Sequence, residues 1–142
     1  MFALHSQLEK DCDVLGQFAL SHLLLMNDAQ YPWFILVPAR ANISEIFQLS
    51  VADQQQLWRE STQLAAGLMQ VFHGDKMNIA ALGNVVPQLH VHHIVRYTTD
   101  AAWPAPVWGK LPAVAYADTE RDALLEKLFS LAFMQSEFQR QV

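Results

Sequence analysis

Residues 83–97 read GNVVPQLHVHHIVRY, and three of the chain's six histidines (His90, His92 and His93) fall within four positions of it. Leu89, Val91, Ile94 and Val95 flank them, and Gly83-Asn84 and Pro87 supply turn signals just before. Apolar and β-branched residues after such a turn predict a strand over residues 88–95. Side chains alternate across a strand, so Gln88, His90 and His92 fall on one face. Leu89, Val91, His93 and Val95 then fall on the other, which is mostly apolar and suited to a core. This register leaves His90 and His92 accessible and His93 covered or paired.

Working outward, Lys76–Leu82 (KMNIAAL) reads as the strand that leads into the turn. Before it, Ser50 with Asp53 three places on resembles a helix start. Leu57, Ser61, Leu64, Leu68 and Phe72, beside Trp58, Ala65 and Met69, then keep helical spacing, and Gly74 reads as the stop. Asn42–Leu49 predicts one helical turn with Ile43, Ile46 and Phe47 facing inward. Further back, LSHLLLM (Leu20–Met26) and WFILV (Trp33–Val37) read as two buried strands. The loop 27–32 between them makes the pair antiparallel. Residues 4–12 predict a short helix, and Val14–Phe18 around Gly16 a segment that pairs with the next strand. Among the leucines, His22 reads as a structural histidine. On the other side, residues 98–117 are irregular and Pro-rich. A last helix from Asp118 or Thr119 should bury Leu124, Leu125, Leu128, Leu131 and Ala132. The pattern predicts an α+β fold with an antiparallel sheet of about five strands, one long central helix and a C-terminal helix.

Composition narrows the function. With 142 residues, 52 % of them apolar and 16 % charged, the chain reads as one folded domain over 1–142. Its core lies at about 20–97 and a C-terminal segment at 98–142. The net charge of −5 and the scattered lysines argue against a nucleic-acid partner. Cys12 is the only cysteine, so no internal disulfide is available. With no apolar run of spanning length and no leader pattern, a cytoplasmic protein without a membrane partner is expected.

Gln88, His90 and His92 on one face admit three chemistries. The first is phosphoryl transfer. A neutral imidazole with one free nitrogen can attack a phosphate if an acceptor fixes its proton on the other. Donors on either side would stabilise charge on the non-bridging oxygens. The second is metal binding: two histidines at i and i+2 can share an ion, with a remote His5, His22 or His73 as the third ligand. The third is a row of polar side chains on a solvated sheet face.

From Gly83 to Arg96 the sequence resembles the signature of the histidine-triad (HIT) superfamily of nucleotide hydrolases and transferases, His-φ-His-φ-His-φ-φ. In that match Gln88 takes the first histidine position, His90 the second and His92 the third, and His93 takes a position that is usually apolar. The segment Leu23–Arg40 (LLLMNDAQYPWFILVPAR) is similar to the family's paired N-terminal strands. The helix expected from Ser50 to Phe72 falls where the family has its long helix. Trp103-Pro104 is faintly similar to a C-terminal Trp-Pro of some members.

The resemblance implies an enzyme that hydrolyses phosphoanhydride or phosphoramidate bonds of nucleotides, such as dinucleoside polyphosphates or nucleoside phosphoramidates. It implies that His90 attacks the α-phosphorus, that a main-chain carbonyl fixes its tautomer, and that water releases the nucleotidyl-imidazole. His92 and Gln88 would bond the phosphate oxygens, and either could assist the leaving group. Asn27 matches a position that contacts the ribose, and Asn84 one that bonds a phosphate or bridging oxygen. No cofactor is required for the covalent step, no metal ligands are assigned, and a role for a divalent ion is left open. A homodimer is implied as well. Gln88 cannot give up a proton as an imidazolium could, Trp33 stands where many members have another His, and Val85 replaces a hydroxyl that serves the leaving group. These departures keep a second expectation open, a nucleotide-binding protein with little turnover.

Overall fold

The computed structural model describes residues 1–141. Its centre is an antiparallel sheet of six strands: β1 (Cys12–Gln17), β2 (Ser21–Met26), β3 (Trp33–Pro38), β4 (Lys76–Ala80), β5 (Val91–Arg96) and β6 (Gln139–Arg140). Their order across the sheet is β4-β5-β3-β2-β1-β6. The predicted α+β class with an antiparallel sheet is observed. The extra strand is β6, two residues long, which pairs with Gly16 and Gln17. Gly16 makes that approach possible, because a Cβ there would run into the backbone of Gln139.

Alternation along β2, β3 and β5 gives the sheet two apolar faces. Leu23, Leu25, Phe34, Leu36, Val91 and Val95 turn to one side, where helix α2 (Val51–Phe72) lays Leu57, Leu64 and Leu68 against them. Ser50 caps that helix as expected, its Oγ accepting from the N–H of Asp53 at 3.1 Å. On the opposite side Leu24, Trp33, Ile35, Val37 and Ile94 are covered by two irregular pieces of chain. One carries Phe2 and Leu4 and runs into helix α1 (Ser6–Asp11), which contributes Leu8; the other carries Ala102, Val107 and Trp108.

Several expectations are corrected. β5 begins at Val91, so Gln88, Leu89 and His90 lie outside the regular ladder. The reason is local: the Leu89 N–H donates to the Ile43 carbonyl at 2.9 Å, which draws the chain off β3. β4 ends at Ala80 rather than Leu82. The left-handed stop after α2 is His73, at φ 52°, and not Gly74. Gly74 is needed for closeness instead, since a Cβ there would collide with the Val95 side chain. In the 3-10 turn Ile46–Gln48, Ile46 and Phe47 are exposed, because the turn lies outside the sheet–helix layer. The C-terminal helix is broken at Ser130-Leu131 into α3 (Asp118–Phe129) and α4 (Ala132–Glu137). Leu128 and Leu131 are buried in it, Leu124 and Leu125 half-buried, and Ala132 exposed.

Candidate active site

The three histidines meet three different environments. His90 sits just before β5, and its Nδ1 lies 2.7 Å from the Gln88 carbonyl oxygen. A carbonyl can only accept, so Nδ1 carries the proton and the Nε2 lone pair of the neutral ring is left for chemistry. His93 repeats the arrangement one face over, with Nδ1 3.1 Å from the Val91 carbonyl. Its Nε2 then accepts from Ser61 Oγ of α2 at 2.7 Å. Burial is the main reason the His93 pKa falls to about 4, against the Val91 bond, which raises it. His93 is therefore a neutral bridge between sheet and helix, on the covered face that alternation predicted.

His92 breaks the pattern. The indole Nε1–H of Trp33 donates to its Nδ1 at 2.9 Å. An indole nitrogen only donates, so Nδ1 is bare and the proton of the neutral ring sits on Nε2. Burial, then the nearby His90 and His93, push the His92 pKa down to about 3. The His90 and His92 rings pack edge to face with centroids 4.9 Å apart. Two adjacent imidazoles thus present opposite valences, one an Nε2 lone pair and the other an Nε2–H.

The expected accessibility of these two rings is corrected: His90 is 8 % and His92 4 % exposed. Trp108 closes over His92 with ring centroids 4.9 Å apart, held edge-on to Trp33 at 5.8 Å. That covering loop is anchored by Arg96 at the end of β5. Its guanidinium donates to both Asp100 oxygens at 2.8 and 3.0 Å and to Asn78 Oδ1 at 2.9 Å. Asp100 also accepts from the N–H groups of Tyr97, Ala102 and Trp103, which folds the loop back over the sheet. Burial alone would lift the Asp100 carboxyl. The Arg96 hydrogen bonds and charge, with the Tyr97 and Trp103 N–H groups, outweigh it and hold the group below its ordinary range.

The remaining expected residues are placed less centrally. The Gln88 carbonyl orients His90, but its side-chain amide is engaged elsewhere. Oε1 accepts from the His5 N–H at 2.9 Å and Nε2 donates to the Ala3 carbonyl at 2.8 Å. Beside it lies a cavity of about 450 Å³ lined in part by Ala3, His5, Asn42, Ser44 and Gln88. Asn27 spends its Oδ1 on the Tyr116 N–H at 2.9 Å, tying the β2–β3 loop to the C-terminal segment. Asn84 is exposed in the loop after β4. Neither asparagine bonds to His90, His92 or Gln88 among the described residues. No group of three or more His, Cys, Asp and Glu side chains is gathered to hold an ion among the described residues. His22 instead stacks on Phe2, with centroids 5.2 Å apart.

Trp33, Trp108 and Asp100 are the residues that sequence reasoning did not assign to the site. For Trp33 a signal existed. It pairs with Ile94, which puts it diagonally across from His92, at a separation an indole can bridge.

The family model for the HIT domain matches residues 7–99. Among curated proteins, none matches the chain. Solved structures do. A histidine-triad protein from Marinobacter aquaeolei VT8 is 53 % identical and superposes with a TM-score of 0.88, over 90 % of this chain and 93 % of that one. One from Bradyrhizobium japonicum is 45 % identical with a TM-score of 0.89, over 91 % and 96 %. A third, from Sinorhizobium meliloti 1021, is 42 % identical with a TM-score of 0.89, over 92 % and 96 %. A matched domain that contains the whole histidine run, and a fold shared over about nine-tenths of the chain at such identity, leave one assignment: the chain belongs to the histidine-triad (HIT) family.

Proposed function

We propose that the protein is a nucleotide hydrolase or nucleotidyl transferase acting at the α-phosphate of a nucleotide conjugate, either a dinucleoside polyphosphate or a nucleoside phosphoramidate. The Nε2 lone pair of His90 attacks the α-phosphorus, and the bond to the leaving group breaks with its electron pair, a phosphate departing as the anion and an amine taking a proton from solvent. His92 Nε2–H donates to a non-bridging oxygen as charge builds there. Water then attacks the phosphorus and gives up a proton to solvent, while the P–N bond breaks and its electron pair returns to His90 Nε2. In transfer, an acceptor hydroxyl replaces water. No cofactor enters this covalent step. The observation that carries the reading is the pair of opposite tautomers, fixed by the Gln88 carbonyl on His90 and the Trp33 indole on His92. Gln88 meets the phosphate through the Nε2 hydrogen that the Ala3 carbonyl does not take, and Asn27 meets the ribose through its Nδ2 hydrogens, its Oδ1 being held by the Tyr116 N–H. Asn84, exposed in its loop, is free to meet a phosphate oxygen. The chain works as a single domain over 1–142 and as a homodimer in the cytoplasm. Support for the dimer comes from β4, an edge strand whose neighbourhood exposes Ile79, Leu82 and Val85.

The test is covalent. Wild type mixed with a nucleotide bearing a good leaving group and quenched fast should carry a nucleotidyl adduct on His90, read by peptide mass spectrometry. His90→Ala should lose turnover by at least about 10³, and His92→Ala should lose roughly the 10²–10³ of one charge-stabilising donor. An adduct on His92 or His93, or a His90→Ala variant as fast as wild type, would remove the mechanism. Binding with little turnover is favoured by one observation: Gln88, in the first triad position, has no labile proton to give a leaving group, and its amide is held by the His5 N–H and the Ala3 carbonyl. It predicts thermal protection by nucleotide with no product.

A further inference from the structure

Three histidines in four positions offer an internal comparison. His90 and His93 each hold Nδ1 against the carbonyl two residues back, that of Gln88 and of Val91. By the same local geometry His92 would turn to the carbonyl of His90. Its proton would then sit on Nδ1, and a bare Nε2 would face the phosphate. Lone pair against anionic oxygen is repulsive, so that tautomer would oppose the proposed reaction. Instead His92 Nδ1 accepts from Trp33.

Nothing about the Trp33 ring leaves it free to choose. It is buried, with Tyr31 packed edge-on at 6.4 Å and Trp108 edge-on at 5.8 Å, and its strand position is fixed opposite Ile94. The indole N–H is therefore presented from a rigid support. We propose that Trp33 is a positioning residue, whose N–H holds His92 in the tautomer that offers Nε2–H to the substrate phosphate. This rests on the reaction proposed above and names a part of it that lies outside the Gln88–His92 run. It also recasts Trp33, since an indole N–H here does what no aliphatic or phenyl side chain could.

The decisive measurement needs no turnover. Long-range ¹H–¹⁵N correlation on histidine-labelled wild type near neutral pH should show the Nε2–H tautomer for His92 and the Nδ1–H tautomer for His93. An Nδ1–H pattern at His92 would overturn the proposal. Trp33→Phe should shift His92 toward Nδ1–H and slow adduct formation on His90 about 10-fold, short of the 10²–10³ for losing the donor altogether. If that variant folds poorly, site-specific replacement of Trp33 by benzothienylalanine keeps the shape and removes only the N–H. His92 still wholly Nε2–H in that protein would equally overturn the assignment. Absence of any adduct in wild type would strike the reaction alone, because the tautomer is read on the free protein.

Discussion

His92 and His93 are adjacent in the chain and point to opposite faces of the sheet, yet both are kept neutral by burial, with pKa values near 3 and 4. In the unfolded chain each returns to about 6.5. Below that pH the unfolded state binds protons that the folded state refuses, so stability must fall as the pH drops from about 6.5 toward 4 and is unaffected above. For two such groups the loss between pH 6.5 and 5.5 is about 2 kcal/mol, measurable as a lower urea midpoint. Ser61 bears on the same balance. Its hydroxyl serves His93 Nε2 within the sheet–helix layer, where both side chains are buried. Ser61→Ala strands that nitrogen and should destabilise by about 1–3 kcal/mol, while His90 still forms its adduct. A variant as stable as wild type would mean that His93 has found another donor.

Among the elements, the most legible were those with a period. The helix 51–72 was readable from leucines at helical spacing and from Ser50, and the buried strands from continuous apolar runs. The division of His92 from His93 followed from alternation alone. What could not be read was which distant groups the site residues meet. Trp33 lies 59 positions from His92, Ala3 lies 85 from Gln88, and Ser61 lies 32 from His93. Such pairings follow from strand order and helix placement, which no local pattern encodes. The loop after β5 was unreadable for another reason: its order comes from one carboxylate. Asp100 and Arg96 are 2 % and 1 % exposed, and breaking a buried pair of this kind costs about 3–5 kcal/mol. Asp100→Ala should therefore unfasten the loop that carries Trp108. Faster amide exchange confined to residues 98–108 would show it, and unchanged exchange there would contradict it.

Taken whole, the molecule is a sheet with a helical side and an irregular side, and the candidate chemistry lies on the irregular side. One sheet edge ends at β4, the other at the short β6. The proposed dimer should give a scattering mass near twice 16.1 kDa at micromolar concentration, and a monomer there would remove it. A mutation that charges the exposed edge, Ile79→Lys, should halve that mass. The irregular side has a further property. Trp33, Trp103 and Trp108 belong to it, whereas Trp58 stands by itself, largely exposed, on the outer surface of α2. The chain's intrinsic ultraviolet emission is thus split between one isolated chromophore and three gathered about His92 and Arg96. Replacing Trp58 by Phe removes the solitary emitter with little else disturbed. What remains is light from the neighbourhood of the imidazoles, so that any anion seated there announces itself optically without a label.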